Sequence, residues 1–211
     1  MKEFWESEVT WASWEKLLAL RRSGLEFVLI GGWSAFLWTG THKSRDIDII
    51  VDYEGLKALQ EQYRLDKNER LRKYEIKMQG FDIDIYLPYY SQLALPVEEL
   101  LSKFAAQAQG IKTVKPEALL VLKQGAEIDR RGTPKGRKDA IDIATLLLKA
   151  PLDLREYAGI ARQHGKQQYV RELLNVLKSI GNDELQFLPV SSLPEYAKWK
   201  RAKTEELKKL L

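Results

Sequence analysis

The spacing of hydrophobic positions changes along this chain, and the change divides the chain into two parts. Before about residue 115, short apolar runs of strand length alternate with stretches in which apolar residues recur every three or four positions. After residue 115, nearly every segment has the helical spacing. We therefore predict an α/β region over residues 1–115 and a helical region over residues 116–211.

Strands and helices are predicted to alternate in the first region. Helices are expected over 4–22, 34–38, 53–63 and 96–106, and strands over 26–30, 46–51, 73–78, 81–87 and 110–114. Gln79 and Gly80 are expected to form a tight hairpin. The tryptophans of the first helix are expected to pack into the core, and His42 to lie in a solvated loop. In the second region, helices are predicted over 117–127, 137–149, 153–163, 167–180 and 195–210.

Two of the predicted strands carry aspartates at alternate positions. Asp46 and Asp48 share one face of the first strand, and Asp82 and Asp84 share one face of the second, because residues i and i+2 point the same way. Neighbouring carboxylates repel each other, so each pair needs a shared proton, a basic partner or a divalent cation. Oxygen ligands of this kind suit Mg²⁺, and three acids from adjacent strands can hold two metal ions.

A glycine pair precedes the first aspartate pair. Gly31 and Gly32 end an apolar run, and Ser34 opens a predicted short helix whose first amides would favour an anion such as a triphosphate. The alternative is a glycine turn that serves only the path of the chain. Neither a Walker loop nor a G-x-G-x-x-G motif is present, which argues against a P-loop ATPase and a Rossmann dehydrogenase.

Composition narrows the protein classes without selecting one. The chain is 45% apolar and 30% charged and contains no cysteine, which excludes disulfides and thiolate metal sites. It shows no signal-peptide layout and no apolar run of the roughly 18 residues that span a bilayer, so we expect a cytoplasmic protein without membrane contact. The net charge of +4 is compatible with a polyanionic partner. The densest basic patch comprises Arg130, Arg131, Lys135, Arg137 and Lys138.

These motifs resemble the nucleotidyltransferase superfamily of the DNA polymerase β type. The resemblance rests on Ile30-Gly31-Gly32, on Asp46-Ile47-Asp48-Ile49 and on Asp82-Ile83-Asp84-Ile85. The segment LLVLKQGAEIDRRGTPKGRKDAIDIATLL is similar to a helical segment of the AbiEii-like toxin nucleotidyltransferases. The resemblance covers residues 25–148 and implies a mixed nucleotidyltransferase-type α/β (α+β) sheet flanked by helices, with a helical C-terminal region.

The resemblance also implies roles for individual residues. Asp46, Asp48 and Asp84 would bind one or two Mg²⁺ ions, and Asp84 or, alternatively, Asp82 would be the third carboxylate or the general base. The residues implied to hold the β- and γ-phosphates of a nucleotide are Gly31, Gly32 and Ser34, with Lys123 contacting the triphosphate unless it is an ordinary surface lysine. Arg45 is a further candidate for a phosphate contact. Lys138, Asp139 and Asp142 would orient a phosphate-binding lysine or, alternatively, form a solvated ion-paired face.

The function implied by the resemblance is Mg²⁺-dependent transfer of a nucleoside monophosphate from an NTP to an acceptor hydroxyl, with release of pyrophosphate. An RNA end, a protein hydroxyl and a small molecule such as an aminoglycoside are all compatible acceptors. The basic patch favours RNA. The rival hypothesis is a non-catalytic relative of the same fold that acts with an antitoxin protein as its partner.

Overall fold

The structure is a computed structural model that describes Trp5 and residues 7–211. It divides into two compact units, of which the first ends at Lys115 and the second begins at Pro116. Residues 4 and 6 of the first predicted helix lie outside the described residues.

The first unit contains four helices and seven strands in its described part. The helices are α1 (Glu8–Arg22), α2 (Gly31–Thr39), α3 (Tyr53–Gln62) and α4 (Val97–Ser102). The strands are β1 (Val28–Ile30), β2 (Ile47–Ile50), β3 (Asp66–Asn68), β4 (Lys73–Lys77), β5 (Asp82–Tyr86), β6 (Ala105–Ala108) and β7 (Ile111–Val114).

All seven strands form one sheet in the order β3-β4-β5-β2-β1-β7-β6. The sheet is mixed, because β2 runs parallel to β5 and β1 runs parallel to β7, whereas the remaining pairs are antiparallel. A mixed sheet with helices packed on it confirms the predicted fold class.

One face of the sheet carries the hydrophobic core. Ile47 and Ile49 of β2 and Ile83 and Ile85 of β5 are fully buried there against side chains of α1, α2 and α3. Because side chains alternate along a strand, Asp48 and Asp84 project from the other face. The pattern of isoleucine and aspartate in the sequence therefore places the apolar core and the acids on opposite faces of the same two strands.

Six helices make up the second unit in the part of it that the structure describes. They are α5 (Pro116–Arg130), α6 (Pro134–Lys149), α7 (Leu154–Gln163), α8 (Tyr169–Ser179), α9 (Asn182–Leu185) and α10 (Leu193–Lys208). Local sequence explains the start of α6, where the Thr133 hydroxyl accepts a hydrogen bond from the Gly136 amide and Pro134 occupies the first turn. Among the described residues, no helix is both long and apolar enough to cross a bilayer.

Several predicted elements need correction. The helix expected over 96–106 ends at Ser102, and Ala105–Ala108 is a strand paired with β7. Pairing around the Gln109-Gly110 turn, where both residues have positive φ, overrides the helical preference of alanine. The short strand Asp66–Asn68 and the four-residue helix Asn182–Leu185 were not predicted.

Two predictions about the first helix and the following loop were wrong. His42 is buried, with its ring stacked on Trp5 at 4.3 Å between centroids, so it is not a solvated loop residue. Trp11 remains 58% exposed and packs under the ammonium group of Lys43, whereas Trp14 packs on the core as expected.

A buried hydrogen bond between α1 and α2 provides a test of the packing. Trp33 and Ser13 are fully buried, and the indole Nε1 of Trp33 donates to Ser13 Oγ at 2.9 Å. Ser13→Ala leaves that donor without a partner, so we expect it to lower the free energy of unfolding by about 1–3 kcal/mol in urea titrations. Ser23→Ala, at the exposed end of the same helix, is the control and should cost about 0.5 kcal/mol or less. Equal losses for the two variants would contradict this view of the interface.

Candidate functional site

Asp48 and Asp84 lie side by side on adjacent parallel strands. The register of β2 and β5 pairs Asp48 with Asp84, as it pairs Ile47 with Ile83 on the core face. Both aspartates are partly buried. The hydroxyl of Tyr86, on the same face of β5, donates to Asp48 Oδ1 at 3.3 Å. The parallel register thus brings two carboxylates together, as the alternation in the sequence predicts for neighbouring strands.

Asp46 and Asp82, the other members of the two aspartate pairs, also lie in contact, but through the backbone of Asp82. Asp46 lies just before β2, and its Oδ1 accepts a hydrogen bond from the Asp82 amide at 3.2 Å. The Asp82 carboxylate itself pairs with Lys77 at 2.7 Å. Of the two candidates for the third carboxylate, Asp84 is therefore the one that lies beside Asp48 in the register of β2 and β5.

Strand β4 adds three charged residues that the sequence analysis did not single out. Glu75 pairs with Asp84 in the register of β4 and β5. Buried Lys73 places its Nζ 2.5 Å from Asp84 Oδ2 and 3.0 Å from Glu75 Oε1. Lys73, Glu75 and Lys77 alternate with Tyr74 and Ile76 along β4, and this alternation was the signal that could have identified them.

The charge of Asp84 is only partly compensated. Burial, and then the negative charge of Asp48, raise the pKa of Asp84 to about 7, although Lys73 opposes the rise. Lys73 occupies Oδ2, whereas Oδ1 is buried and has no hydrogen-bond partner among the described residues. A buried carboxylate oxygen in this condition can accept a proton or bind a cation.

Glu75 is in the opposite electrostatic condition. Burial raises its pKa, but hydrogen bonds from Lys77, Lys73 and Asn68 outweigh burial and lower the pKa to about 2. Glu75 therefore stays ionised and serves to hold Lys73 against Asp84 from the neighbouring strand.

The first glycine of the pair is required by the position of Asp48. Gly31 is the first residue of α2, with φ +69°, and a Cβ added to it would lie 2.1 Å from Asp48 Oδ2. The backbone at the start of α2 thus approaches the carboxylate too closely for any other residue. The residue before the helix, Ile30, has no side-chain hydrogen bond to the amides of this helix start. The structure therefore places the start of a helix directly against one of the paired acids.

The hydroxyl of Ser34 does not face an open cleft, which corrects the expected role of its side chain. Ser34 is fully buried and its Oγ lies 2.6 Å from Thr113 Oγ1, which in turn donates to the Leu29 carbonyl at 2.8 Å. Because the Thr113 proton is used on Leu29, Ser34 is the donor to Thr113. This hydrogen-bond chain joins α2 to β7 and β1 inside the unit.

Arg45 contacts the hairpin instead of the carboxylates. It is exposed, and its Nε donates to the carbonyl of Gly80 at 2.7 Å. Its contact with phosphate stays a prediction.

The lysine and aspartates implied by the second motif lie together in the helical unit. Lys123 of α5 is buried, and its Nζ lies 2.7 Å from Asp142 Oδ2 and 3.6 Å from Asp139 Oδ1. Lys138 Nζ lies 3.0 Å from the same oxygen of Asp142. Lys123 is thus not an exposed surface lysine, and Asp139 and Asp142 are not a solvated face. The proposed contact of Lys123 with a triphosphate stays a prediction.

Acids neutralise much of the basic patch at residues 130–138. Arg131 lies 2.8 Å from Glu127 and from Glu172, and Arg130 lies 2.7 Å from Asp139. Arg137 pairs with Glu184. These contacts weaken the argument that this patch attracts a nucleic acid.

The paired carboxylates are oxygen ligands of the kind that suits a magnesium ion. Within the described residues, no three His, Cys, Asp or Glu side chains form a complete metal site. Magnesium is, however, commonly bound through one or two carboxylates together with waters and substrate phosphates. Asp48 and Asp84 provide such a pair, and the buried oxygen Asp84 Oδ1 could serve as a ligand of the cation.

The contact between Gly31 and Asp48 can be tested by comparing two glycines at opposite ends of α2. Gly40 has φ +67°, close to that of Gly31, but a Cβ there meets nothing within 4 Å. We expect Gly40→Ala to cost about 1–2 kcal/mol of unfolding free energy from backbone strain alone. Gly31→Ala adds the clash and should cost at least about 1 kcal/mol more in the same denaturant titration. Equal losses would show that Asp48 does not pack against Gly31.

The role of Glu75 predicts a specific pH dependence of stability. The pKa of Glu75 in the folded protein, about 2, lies below its ordinary value of 4.5, so its stabilisation is present above pH 4.5 and is lost as the pH falls toward 2. Glu75→Gln should therefore lower the unfolding free energy by about 1–3 kcal/mol at pH 7, and the difference should shrink at pH 3. Glu61→Gln, which alters an exposed carboxylate of α3, is the control and should show little change at either pH. A difference that persists unchanged at pH 3 would contradict the ion pairs.

Comparison with known proteins was made by sequence and by structure. No protein-family model matches the sequence, and no curated protein is significantly similar to it. A structure from H. pylori provisionally described as a nucleotidyltransferase is 16% identical, with a TM-score of 0.56 over 98% of this chain and 99% of that one. JHP933 from Helicobacter pylori is 15% identical, with a TM-score of 0.53 over 96% of this chain and 95% of that one.

A third similar structure was solved with a bound small molecule. ANT(2")-Ia, solved in complex with adenylyl-2"-tobramycin, is 16% identical, with a TM-score of 0.51 over 77% of this chain and 99% of that one. Identities this low establish similarity of fold alone. This chain therefore has the nucleotidyltransferase fold. Its parts include the mixed sheet, the glycine at the start of α2 and the aspartates of β2 and β5.

Proposed function

We propose that this protein is a Mg²⁺-dependent nucleotidyltransferase that moves a nucleoside monophosphate from an NTP to an acceptor hydroxyl. We take an RNA end as the acceptor because the chain carries a net charge of +4, although acids already pair with much of the basic patch. The observation that carries the proposal is the register of β2 and β5, which sets Asp48 beside Asp84 next to the start of α2 at Gly31. This arrangement combines acids that suit a metal ion with a helix start that favours phosphate. The fold shared with nucleotidyltransferase structures supports the proposal.

The chemistry assigned to these residues is an in-line displacement at the α-phosphorus of the NTP. The acceptor oxygen forms a bond to the α-phosphorus, the bond to the oxygen bridging the α- and β-phosphorus breaks, and pyrophosphate leaves with the electron pair. Asp48 and Asp84 would hold Mg²⁺, and the sequence resemblance adds Asp46 as a further ligand. The ion when bound would neutralise the phosphate charge and stabilise the oxygens that attack and leave. The protein's own contribution is mainly position and charge.

Asp84 would act either as a metal ligand or as the acceptor of the proton of the attacking hydroxyl. Its Oδ2 is held by Lys73, whereas its buried Oδ1 has no hydrogen-bond partner among the described residues. The amides at the start of α2 would bind the β- and γ-phosphates through Gly31 and Gly32. Because the hydroxyl of Ser34 is already used inside the unit, Ser34 would contribute through its backbone only.

A small-molecule acceptor is the second candidate, because ANT(2")-Ia shares the fold and carries an adenylylated aminoglycoside in its structure. The two acceptors differ in their response to salt. Binding of RNA releases counterions and weakens steeply as salt rises, whereas modification of a small molecule should depend little on salt.

Incubation with labelled NTPs tests the activity and identifies the acceptor together. The protein with Mg²⁺ is given each NTP, total RNA and an aminoglycoside in separate reactions, and we expect labelled RNA. Asp48→Asn should reduce labelling by about 100-fold or more, because it removes one of the paired carboxylates. Asp82→Asn is the matched control in the same group of aspartates and should reduce labelling by less than about tenfold.

Calorimetry separates an enzyme from a non-catalytic relative of the same fold. We expect NTP binding to require Mg²⁺ in the wild-type protein and to lose that dependence in Asp48→Asn. NTP binding that is indifferent to Mg²⁺, with no labelled acceptor for any NTP, would favour a binding protein with an antitoxin partner and would refute the proposed activity.

A further inference from the structure

Two neighbouring turns of the first unit hold non-glycine residues on backbone that favours glycine. Tyr89 has φ +61° and Arg72 has φ +49°. L-residues other than Asn and Asp rarely occupy this region, because Cβ then crowds the backbone. Such strain persists only where surrounding contacts enforce it, and it is frequently associated with function.

Hydrogen bonds join the two strained turns. Ser91 Oγ accepts from the Leu87 amide at 3.0 Å and donates to the Arg72 carbonyl at 2.6 Å. The hydroxyl of Tyr53 donates to the Pro88 carbonyl at 3.3 Å on the other side of the turn. Tyr89 and Arg72 are therefore held close together by the packing of α3 and by the ends of β4 and β5.

The side chains at this place are unusually exposed for their type. Tyr89 is 84% exposed, Tyr53 is 57% exposed and Leu71 is 45% exposed. Arg72 is exposed as well. We refer to Tyr53, Leu71, Arg72 and Tyr89 as the tyrosine surface. Its composition, two tyrosine rings and a guanidinium group, is suited to bases and phosphates.

Arginines and acids both lie around the tyrosine surface. In the turn between β3 and β4, Arg70 and Arg72 are both exposed, and the exposed Asp52 and Glu54 flank Tyr53 in the sequence. The acids of the turn itself have cationic partners, since Asp66 lies 3.6 Å from Arg64 and Glu69 lies 2.8 Å from Lys67. The two arginines therefore add positive charge beside the exposed rings, which is complementary to a polyanion.

The tyrosine surface lies at the end of the strand that carries Asp84. Tyr89 follows Asp84 by five residues, which corresponds to about 16 Å along an extended chain. Tyr90, the next residue, packs against Tyr74 of β4 with 5.8 Å between ring centroids. A flexible acceptor that reaches Asp84 along this strand would pass the exposed rings.

We propose that the tyrosine surface binds the single-stranded end of an acceptor RNA, with a base stacked on the ring of Tyr89 and a phosphate paired with Arg72. This proposal rests on the proposed function in one respect only, namely that the acceptor is RNA. Stacking on an aromatic ring accepts any base, and the arginine pairs with the backbone, so the surface binds without strict sequence preference. The ring of Tyr89 is exposed to solvent before the RNA arrives.

Substitution by glycine tests the proposal without damage to the fold. Tyr89→Gly removes the ring and at the same time suits the positive φ, so the thermal midpoint should stay equal or rise. The affinity for a fluorescein-labelled single-stranded RNA, measured by anisotropy without NTP or divalent cation, should fall roughly 5- to 150-fold. Tyr89→Phe keeps the ring and should stay within about threefold of the wild type.

The arginine is tested through the salt dependence of the same binding. Arg72→Gly should weaken binding and reduce the slope of log affinity against log salt by about 0.7, the value for one phosphate contact on a single strand. Trp11→Ala and Arg22→Ala are the matched controls, since they remove an exposed aromatic ring and an exposed arginine elsewhere in the same unit. Both controls should leave the affinity within about twofold.

Several outcomes would overturn the proposal. Affinity unchanged in both glycine variants, equal losses in the two controls, or a loss in Tyr89→Phe as large as in Tyr89→Gly would each do so. A wild-type oligomer that Tyr89→Gly dissociates would show a protein interface instead. If an acceptor is labelled but RNA binding does not change in the Tyr89 variants, the RNA-binding role of the tyrosine surface is refuted and the proposed function is not. Binding that depends on Tyr89, without any nucleotide transfer, removes the proposed function and leaves the surface.

Discussion

Two carboxylates set side by side by a parallel strand pair are the constraint on which the rest of the first unit depends. Asp48 and Asp84 repel each other in a partly buried setting, and the neighbouring strand supplies the compensation. Lys73 pairs with Asp84, and Glu75 holds Lys73 with the help of Lys77 and Asn68. Compensation is incomplete, because one oxygen of Asp84 remains buried without a hydrogen bond. The sheet therefore keeps a position at which a cation or a proton is favoured.

Steric fit links this electrostatic group to the start of α2. Asp48 packs against Gly31 so closely that a Cβ cannot be accommodated, which makes the carboxylate part of the packing as well as part of the charge. The core isoleucines on the opposite face of β2 and β5 set the position of the strands, and the strands in turn set the acids. A helix start and two acids are thereby positioned by the same hydrophobic core.

Much of this arrangement was predictable from periodicity. Alternation of isoleucine and aspartate placed the core and the acids on opposite faces, and the mixed α/β fold followed from the spacing of apolar residues. What failed depended on contacts distant in sequence. Ala105–Ala108 is a strand because β7 pairs with it, His42 is buried because Trp5 covers it, and the Ser34 hydroxyl turns to Thr113. The alternation along β4 marked Lys73 as sharing a face with Glu75, but its partner Asp84 is set by the register of β4 and β5.

The bond between Ser34 and Thr113 has a consequence for the order of events during synthesis. The first turns of α2 are synthesised early, but Thr113, which accepts the hydrogen bond of Ser34, belongs to β7, the last strand of the unit. The same strand pairs with β1. A nascent chain that has not yet reached residue 113 lacks both partners. The packing of α2 is therefore completed only when β7 emerges from the ribosome. A polypeptide that ends before β7 would have β1 paired with β2 alone.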